Sequence, residues 1–348
     1  MRLNAVGLML ICALAICVAP LVADAQQPAK VPRIGLLSQG SSPAPGTAAF
    51  SEPFVQGMRD LGYVEGQHIT FERRYAEGNL DRLPDLAAEL VRLPVDLVVA
   101  LGPVSVQAAK HATTTIPIVF MGIFDPVGSG VVAGLARPGR NITGVAFDPG
   151  LDIFGKQLEL LKAAVPTVSR VAMLVGHERS PTDETLEQVW ERAARGLGLT
   201  LRYFYVGRSE ALTAWAFPAI IADAPSIDAL QVGGGPPVFQ YRRQIADFAL
   251  QHRLPLVGVQ RPFAEAGSLL SYGPTQREIQ GRTAVLVDKI LKGAKPGDLP
   301  VEQPMKFELV INLKTAQALG LTLSPQFLFQ ADVSPLGTEV MTDEIRHI

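Results

Sequence analysis

Two short apolar runs joined by a short helical pattern, in residues 95–130, constrain the fold of this chain most. The first run, 95–101, ends at Gly102, a helical pattern covers 104–112, and the second run is 116–121. Short β-branched runs without alternation are typical of strands that are buried on both faces, as in parallel sheets. The segment therefore predicts a right-handed βαβ crossover. Its polar turns at Gly102 and Asp125 follow the carboxyl ends of the strands, where open α/β sheets bind ligands.

Strand and helix patterns alternate along the rest of the chain, and the alternation restarts after residue 148. Segment 68–75 alternates polar and apolar residues, which predicts an edge strand. Each half therefore predicts its own parallel sheet, and the fold class is α/β with two Rossmann-like lobes. The predicted strands are 34–37, 68–75, 95–101, 116–121, 141–147, 171–175, 199–206, 227–232, 256–259, 268–273 and 307–311. The predicted helices are 50–61, 80–92, 104–112, 154–164, 184–195, 210–222, 239–252 and 278–292, with a short helix capped by Asn312.

The first 25 residues have the pattern of a cleaved signal peptide. Arg2 precedes an apolar stretch, 6–22, and the small residues Ala23 and Ala25 frame a cleavage site. An uncleaved membrane helix is the alternative, although the stretch falls just short of the usual span of about 20 residues. A cleaved signal peptide predicts a periplasmic protein. Both cysteines lie in this segment, so the mature chain is expected to be free of disulfides. The polar residues 335–348 are expected to form a loose tail.

The composition and the motifs of the chain give no sign of catalytic chemistry or of a nucleic-acid partner. The formal net charge is −2 and no cluster of Lys and Arg occurs, so a nucleic-acid partner is not expected. The chain contains neither a Gly-x-Ser-x-Gly elbow nor a Walker loop, and no acid/base pair of carboxylates stands out. The histidines have no metal-ligand spacing; they are His68, His111, His177, His252 and His347. No cofactor, no metal and no enzymatic activity are therefore expected.

A series of motifs, in order along nearly the whole mature chain, resembles the ABC-transporter substrate-binding proteins of the tryptophan/tyrosine-binding type. The order and spacing of these motifs are specific together, although no single one is decisive. They are LGYVEGQ (61–67), AEG (76–78), IPIVF (116–120), DPVGSG (125–130), NITG (141–144), SYGP (271–274) and VEQPMKFELVINLKTAQALGL (301–321).

This resemblance implies a type I periplasmic-binding-protein fold, in which ligand is clamped between two lobes joined by three chain crossings. The crossings are expected near Phe147, Gly273 and Pro300. The first lobe is then 31–147 plus 274–300, and the second is 148–273 plus 301–334. The resemblance also implies capture of a small polar ligand, an amino acid or related carboxylate, by a monomer that delivers it to the membrane subunits of an ABC permease. An exported ligand-sensing accessory protein, or an enzyme on the same scaffold, is the alternative.

The expected ligand groups of the first lobe lie after the first and third strands. Backbone N–H groups at helix N-termini suit a carboxylate. Ser38, Ser41 and Ser105 could add hydroxyl groups. Where the family commonly has Gly-Thr-Pro, this chain has Gly102-Pro103-Val104, so Ser105 could replace the missing hydroxyl.

Four further residues are candidates, each with a structural alternative. Asp125 could accept a hydrogen bond from an ammonium group, or shape a turn before Pro126. Thr143 could contact ligand or bond within the hinge, and Tyr272 could cover the cleft or belong to the core. His177 is a candidate through its place in a predicted cleft loop. Where the family often has an Asn-Pro pair, this chain has Gly176-His177-Glu178, and its Gly-Gly-Gly-Pro-Pro segment at 233–237 is also atypical. The ligand could therefore differ from those of relatives.

Overall fold

The computed structural model describes residues 31–40, 42, 52–147, 152–176, 179, 183–206, 216–223, 226–233 and 235–332. The predicted signal peptide, the predicted tail, Ser41 and His177 lie outside these residues. No helix in the described ranges is long and apolar enough to cross a membrane. The described side chains also contain no group of three His, Cys, Asp or Glu residues that could hold a metal ion.

The first lobe contains a five-stranded sheet in the order β2-β1-β3-β4-β5, in which every described pair of strands is parallel. The strands are β1 (Arg33–Ser38), β2 (Thr70–Tyr75), β3 (Leu97–Leu101), β4 (Ile118–Ile123) and β5 (Ile142–Ala146). The predicted crossover is confirmed, because β3 leads through helix α3 (Pro103–Ala112) into its neighbour β4. Strand β2 lies at the edge, as its alternating pattern predicted. Strand β4 continues past its predicted end through Gly122, where the pairing with β5 is irregular.

Strand β3 is buried on both faces, which explains its unbroken apolar sequence. Val98 and Ala100 pack into a core with helices α2 (Leu83–Arg92) and α3. Leu97, Val99 and Leu101 pack on the opposite face with helices α1 (Glu52–Asp60) and α10 (Gln276–Leu291). Full burial of each Val or Leu side chain stabilises the fold by about 1.5–3 kcal/mol. The central strands therefore form a rigid base for the turns at their carboxyl ends.

The second lobe contains a six-stranded sheet in the order β11-β10-β9-β8-β6-β7. Its strands are β6 (Arg170–Val175), β7 (Thr200–Tyr205), β8 (Ala229–Val232), β9 (Leu256–Gly258), β10 (Leu270–Pro274) and β11 (Phe307–Ile311). All described pairs are parallel except β10 with β11, which the prediction of a wholly parallel sheet missed. The chain leaves this lobe at Pro274 and re-enters it at Phe307, and these two residues are paired. Because the last residue of β10 lies beside the first residue of β11, the two strands must run in opposite directions.

The remaining helices cover the sheets. They are α4 (Asp152–Ala164), α5 (Asp183–Gly196), α6 (Phe217–Ala222), α7 (Pro236–Gln240), α8 (Arg242–Gln251), α9 (Arg261–Ala266), α11 (Leu313–Ala318) and α12 (Pro325–Leu328). The predicted helix 239–252 is divided at Tyr241, and the short helices α9 and α12 were not predicted. Asn312 caps α11 as predicted, since its side chain accepts a hydrogen bond from the Thr315 backbone N–H over 3.0 Å.

The chain passes between the two sheets three times, as the resemblance implied. It first runs from β5 into α4, then from β10 into α10, and finally from the 3₁₀ turn Pro296–Asp298 into β11. Helix α10 packs against α1 and β4, so it covers the first sheet although it directly follows β10 of the second. Thr275 caps its start by accepting a hydrogen bond from the Glu278 N–H over 3.0 Å.

Candidate ligand-binding cleft

Helix α3 begins at the carboxyl end of β3, directly after Gly102. Gly102 has φ 87° and ψ 158°, a conformation that glycine adopts without the strain a side chain would bring. The N–H groups of the first helical turn have no carbonyl partner within the helix and lie at the positive end of the helix dipole. Gly102 has no side chain with which to cap them. This end of the sheet therefore offers backbone donors to an anionic group.

Ser105 lies in the first turn of the same helix and is completely buried. Its hydroxyl oxygen has no hydrogen-bond partner among the described residues. Buried hydroxyl groups are nearly always paired, because leaving one unpaired costs about 1–3 kcal/mol. The hydroxyl can therefore add a hydrogen bond to the backbone donors of the helix end.

Gln39 is a neighbour of this helix end and was not predicted as a site residue. Its side-chain carboxamide lies against Gly102, so that a Cβ atom at position 102 would approach its atoms to 2.5–2.7 Å. The Oε1 atom of Gln39 is buried and has no partner among the described residues. The available signal was positional, because Gln39 directly follows the carboxyl end of β1.

The turn after β1 is fixed by the AEG turn after β2. The N–H groups of Ala76, Glu77 and Gly78 donate to the carbonyl groups of Ser38, Gly40 and Gln39 over 2.9, 3.2 and 3.2 Å. The Ser38 hydroxyl accepts a hydrogen bond from the Gly40 N–H over 3.1 Å and so shapes this turn. The other predicted serine, Ser41, lies outside the described residues.

Asp125 shapes a turn before Pro126, which is the second of the two roles that the sequence allowed. Its backbone has φ 38°, and its Oδ1 atom accepts a hydrogen bond from the Gly128 N–H over 2.8 Å. The backbone carbonyl of Asp125 accepts hydrogen bonds from the Ser129 N–H over 3.0 Å and the Ser129 hydroxyl over 2.7 Å. Lys110 of α3 donates to the Gly130 carbonyl over 2.6 Å, and desolvation by burial lowers the pKa of this lysine. The DPVGSG segment is therefore a closed turn attached to α3.

Thr143 and Tyr272 are engaged in the hinge and the core. The buried hydroxyl of Thr143 donates to the Leu299 carbonyl over 2.9 Å, which is the hinge bond of the two roles predicted for it. Tyr272 is half-buried and stacks on Phe307, with 5.8 Å between the ring centres. Burial raises the pKa of its phenol group.

In the second lobe, the turns after β6 and β8 lie against each other. Gly235 has φ 106°, and a Cβ atom there would overlap the backbone carbonyl of Gly176. The unusual glycine-rich segment therefore permits close approach of these two turns. His177, the predicted site residue next to Gly176, lies outside the described residues.

Arg179, in the turn after β6, is held by a cluster at the end of β7. Its guanidinium group donates to both carboxylate oxygens of Glu187 over 2.8 and 3.2 Å. The Tyr205 hydroxyl donates to the same carboxylate over 2.7 Å. The hydrogen bond from Arg179 lowers the pKa of Glu187, and burial raises the pKa of Tyr205. Neither Arg179 nor Glu187 was predicted, since their pairing depends on the fold.

The two lobes also meet on the side away from the hinge. The Nε2 atom of Gln240, at the end of α7, lies 3.5 Å from where a Cβ atom of Gly78 would stand. Gly78 follows β2, which is the edge strand farthest from β5 and the first crossing. This contact places the turn after β2 of the first lobe beside the end of α7 of the second lobe.

Two α/β lobes, three crossings and turns that meet at the carboxyl ends of the sheets define a type I periplasmic binding protein. Within this class, the chain belongs to the ABC transporter substrate-binding protein family. The family profile described as "ABC transporter substrate binding protein" matches residues 43–334, which is most of the sequence. The resemblance seen in the motifs is thereby confirmed.

Individual relatives agree with this assignment. The chain is 24% identical over 268 residues to a tyrosine-binding protein of Clostridioides difficile (strain R20291), with 77% of this chain and 75% of that protein matched. The structure is similar to an ABC domain from Streptococcus pneumonia in complex with L-Trp, with a TM-score of 0.76, 26% identity, and 86% and 98% of the two chains covered. It is also similar to a conserved domain protein from Vibrio cholerae, with a TM-score of 0.77, 28% identity, and 87% and 99% covered.

Proposed function

We propose that this protein is the extracytoplasmic solute-binding component of an ABC importer. It captures a small polar ligand, an amino acid or related carboxylate, between its lobes and delivers it to the membrane permease. The observation that carries the ligand class is the N-terminus of α3, where backbone N–H groups of the first turn lie beside the Ser105 hydroxyl, which is buried and has no partner among the described residues. The predicted signal segment 1–25 supports export to the periplasm, and a monomer is the proposed state.

The relatives support an amino-acid ligand. One is described as a tyrosine-binding protein, and a structure with 26% identity holds L-Trp. An aromatic amino acid combines a carboxylate, an ammonium group and an apolar ring. The carboxylate of such a ligand would bind the donors of the α3 end.

The proposed ligand contacts are the α3 end at Gly102 and Ser105, with Ser41 and His177 as candidates from the adjoining turns. Ser38 and Asp125 support these contacts by fixing the turns around them. Thr143 and Tyr272 act through the hinge and the core. We propose the lobe boundaries given by the crossings, 31–147 plus 274–300 and 148–273 plus 301–334, and closure by rotation about these crossings.

Binding without turnover is the proposed mode of action. A hydrolase of this shape would need a nucleophile hydrogen-bonded to its base. The Ser105 hydroxyl has no partner among the described residues, and one carboxylate oxygen of Asp125 accepts the Gly128 N–H. Ser105 and Asp125 therefore do not form such a pair. A sensing role would retain the same binding chemistry and differ only in the membrane partner.

The test is isothermal titration of residues 26–348 with amino acids, small carboxylates, nucleosides and sugars, followed by the Ser105→Ala variant. We expect an amino acid to bind and Ser105→Ala to weaken it about tenfold, the effect of one lost hydrogen bond to a charged group. Ser271→Ala is a matched control. Ser271 is also completely buried, and its hydroxyl has no partner among the residues that the structure describes, but it lies near the amino end of β10. Equal loss in both variants, or binding of sugars alone, would contradict the proposal.

A further inference from the structure

Two buried oxygen atoms at the start of α3 have no hydrogen-bond partner in the part of the chain that the structure describes. One is Oε1 of Gln39 and the other is the hydroxyl oxygen of Ser105. Ser38 of β1 and Leu101 of β3 are paired in neighbouring parallel strands. Gln39 directly follows β1, and Gly102 directly follows β3 and precedes the helix that carries Ser105. Both groups therefore lie at the carboxyl end of the first sheet.

The surrounding backbone determines where the Gln39 side chain lies. The Gln39 carbonyl accepts a hydrogen bond from the Gly78 N–H over 3.2 Å, which fixes the backbone. The carboxamide then lies in space that a Cβ atom at position 102 would occupy. Gly102 therefore serves both the start of α3 and the placement of this carboxamide.

The groups at this edge have complementary hydrogen-bonding chemistry. The N–H groups of the α3 end donate, and the Ser105 hydroxyl can donate as well, so they suit an oxygen that carries negative charge. A carboxamide oxygen only accepts, so it requires an N–H or O–H group. A ligand that pairs all of them must carry a donor beside its anionic group.

We infer that Gln39 is a specificity-determining residue of the ligand site, whose Oε1 atom accepts a hydrogen bond from a donor next to the ligand's anionic group. This inference rests on the proposed function and narrows it, because it selects α-amino acids over carboxylic acids that lack the ammonium group. A carboxylic acid without a donor would leave Oε1 buried and unpaired. Sites with a polar group left unpaired by an analogue discriminate strongly against that analogue.

The experiment compares two pairs of probes that differ in the ammonium group. L-tryptophan is paired with indole-3-propionate, and L-tyrosine with 3-(4-hydroxyphenyl)propionate. Dissociation constants are measured calorimetrically for wild-type residues 26–348, for Gln39→Leu, and for Gln251→Leu, an exposed glutamine on α8. We expect the wild type and Gln251→Leu to prefer an amino acid by at least about tenfold, a factor typical of one charge-assisted hydrogen bond. In Gln39→Leu the preference should fall to within about threefold, since a charge-assisted hydrogen bond is lost.

A second measurement separates a ligand role from a structural one. Without ligand, Gln39→Leu should retain or raise the thermal midpoint, because it replaces an unpaired buried polar group with an apolar one. A fall of about 2 °C or more, which indicates appreciable destabilisation in a protein of this size, would assign Gln39 a structural partner and overturn the inference. If the probes bind and Gln39→Leu keeps the wild-type preference, the role of Gln39 is wrong while the proposed function stands. If no probe binds the wild type, the inference fails, whereas the proposed function fails only if the wider panel of amino acids and carboxylates also does not bind.

Discussion

The hydroxyl of Thr143 in β5 donates a hydrogen bond over 2.9 Å to the backbone carbonyl of Leu299, which lies 156 residues further along the chain. Leu299 begins the third crossing between the lobes. The next residues of this crossing also pair with β5, since the Glu302 N–H donates to the Gly144 carbonyl over 2.9 Å and the Ala146 N–H to the Glu302 carbonyl over 2.8 Å. The third crossing is therefore hydrogen-bonded to β5 of the first sheet as far as Glu302.

Thr143→Val should lower the free energy of unfolding by about 1–2 kcal/mol, because the substitution preserves shape but removes the donor to Leu299. Urea unfolding followed by circular dichroism would measure this change. Thr200→Val is the control, since Thr200 is exposed at the start of β7 and the same exchange there should cost less than about 0.5 kcal/mol. Equal effects at the two positions would show that the Leu299 hydrogen bond does not stabilise the hinge.

A chain of glutamine side chains connects the two lobes at the second crossing. Gln260 donates to the Pro274 carbonyl over 2.8 Å, and Gln276 donates to Oε1 of Gln260 over 2.8 Å. Gln280 donates to Oε1 of Gln276 over 3.0 Å and accepts a hydrogen bond from the Phe54 N–H over 3.0 Å. The start of α1 is thus linked through α10 to the second lobe.

Gln280→Leu should destabilise the protein by about 1–3 kcal/mol, because it removes the acceptor of the buried Phe54 N–H. Thermal and urea unfolding would both detect a loss of this size. Gln251→Leu, on the surface of α8, should change the free energy of unfolding by no more than about 0.5 kcal/mol. If Gln280→Leu were as stable as wild type, the hydrogen bond to Phe54 would contribute nothing to the fold.

Asp228, just before β8, should make stability depend on pH in the acid range. Its carboxylate accepts hydrogen bonds from the Arg170 guanidinium over 2.7 Å and from the N–H and hydroxyl of Ser169 over 2.9 and 2.8 Å. These contacts, with Arg170 the strongest, hold the pKa of Asp228 well below its usual value. Because the folded state favours the ionised form, the stabilisation is complete above the unfolded pKa of about 3.9 and is lost as pH falls toward the lower folded value.

Asp228→Asn should therefore lower the thermal midpoint at pH 7, with a cost of about 1–3 kcal/mol for the weakened charged hydrogen bonds. The gap between variant and wild type should narrow as pH falls below about 4, because the carboxyl group of the unfolded wild type then binds a proton, which favours unfolding. Thermal unfolding from pH 7 to pH 2.5 would show this convergence. Asp247→Asn, at an exposed position on α8, should change the midpoint little at any pH. A difference in thermal midpoint between Asp228→Asn and wild type that is constant with pH would show that ionisation of Asp228 does not stabilise the folded state.

Local patterns sufficed for the parts of the fold that depend on burial. The unbroken apolar sequence of β3 predicted a strand covered on both faces, and Val98 and Val99 indeed face two different cores. The alternation in β2 predicted an edge, and Asn312 predicted a helix cap. In each case the physical cause, which is side-chain periodicity or a hydrogen bond three residues away, is contained in a few neighbouring residues.

Distant partners could not be predicted in the same way. The antiparallel direction of β11 follows from its entry beside Pro274, and the bond between Thr143 and Leu299 spans 156 residues. Asp125 had two possible roles with the same local sequence, and only the fold shows its bond to Gly128. Nothing in the sequence distinguishes Gln39 from other polar turn residues, because its placement depends on the missing side chain at Gly102, which follows a different strand.

The contact between the turns after β6 and β8 can be tested by substituting two glycines that both have a positive φ angle but have different neighbours. Gly235 has φ 106° and Gly62 has φ 92°, so alanine at either position carries backbone strain. A Cβ atom at Gly62 would meet no other atom within 4 Å, whereas one at Gly235 would overlap the Gly176 carbonyl. Gly62→Ala should therefore cost about 1–2 kcal/mol of stability, the strain of a left-handed residue alone, and leave ligand affinity unchanged.

Gly235→Ala should cost more than Gly62→Ala and also weaken ligand binding. Its Cβ atom must displace the backbone at Gly176, which directly precedes the proposed ligand contact His177 in the sequence. Urea unfolding would give the two stability changes, and calorimetric titration with L-tryptophan the two affinities. An affinity loss in Gly235→Ala that exceeds that in Gly62→Ala would show that packing of the two turns shapes the ligand site. Equal affinities in the two variants would mean that the turns after β6 and β8 contact each other only to support the lobe.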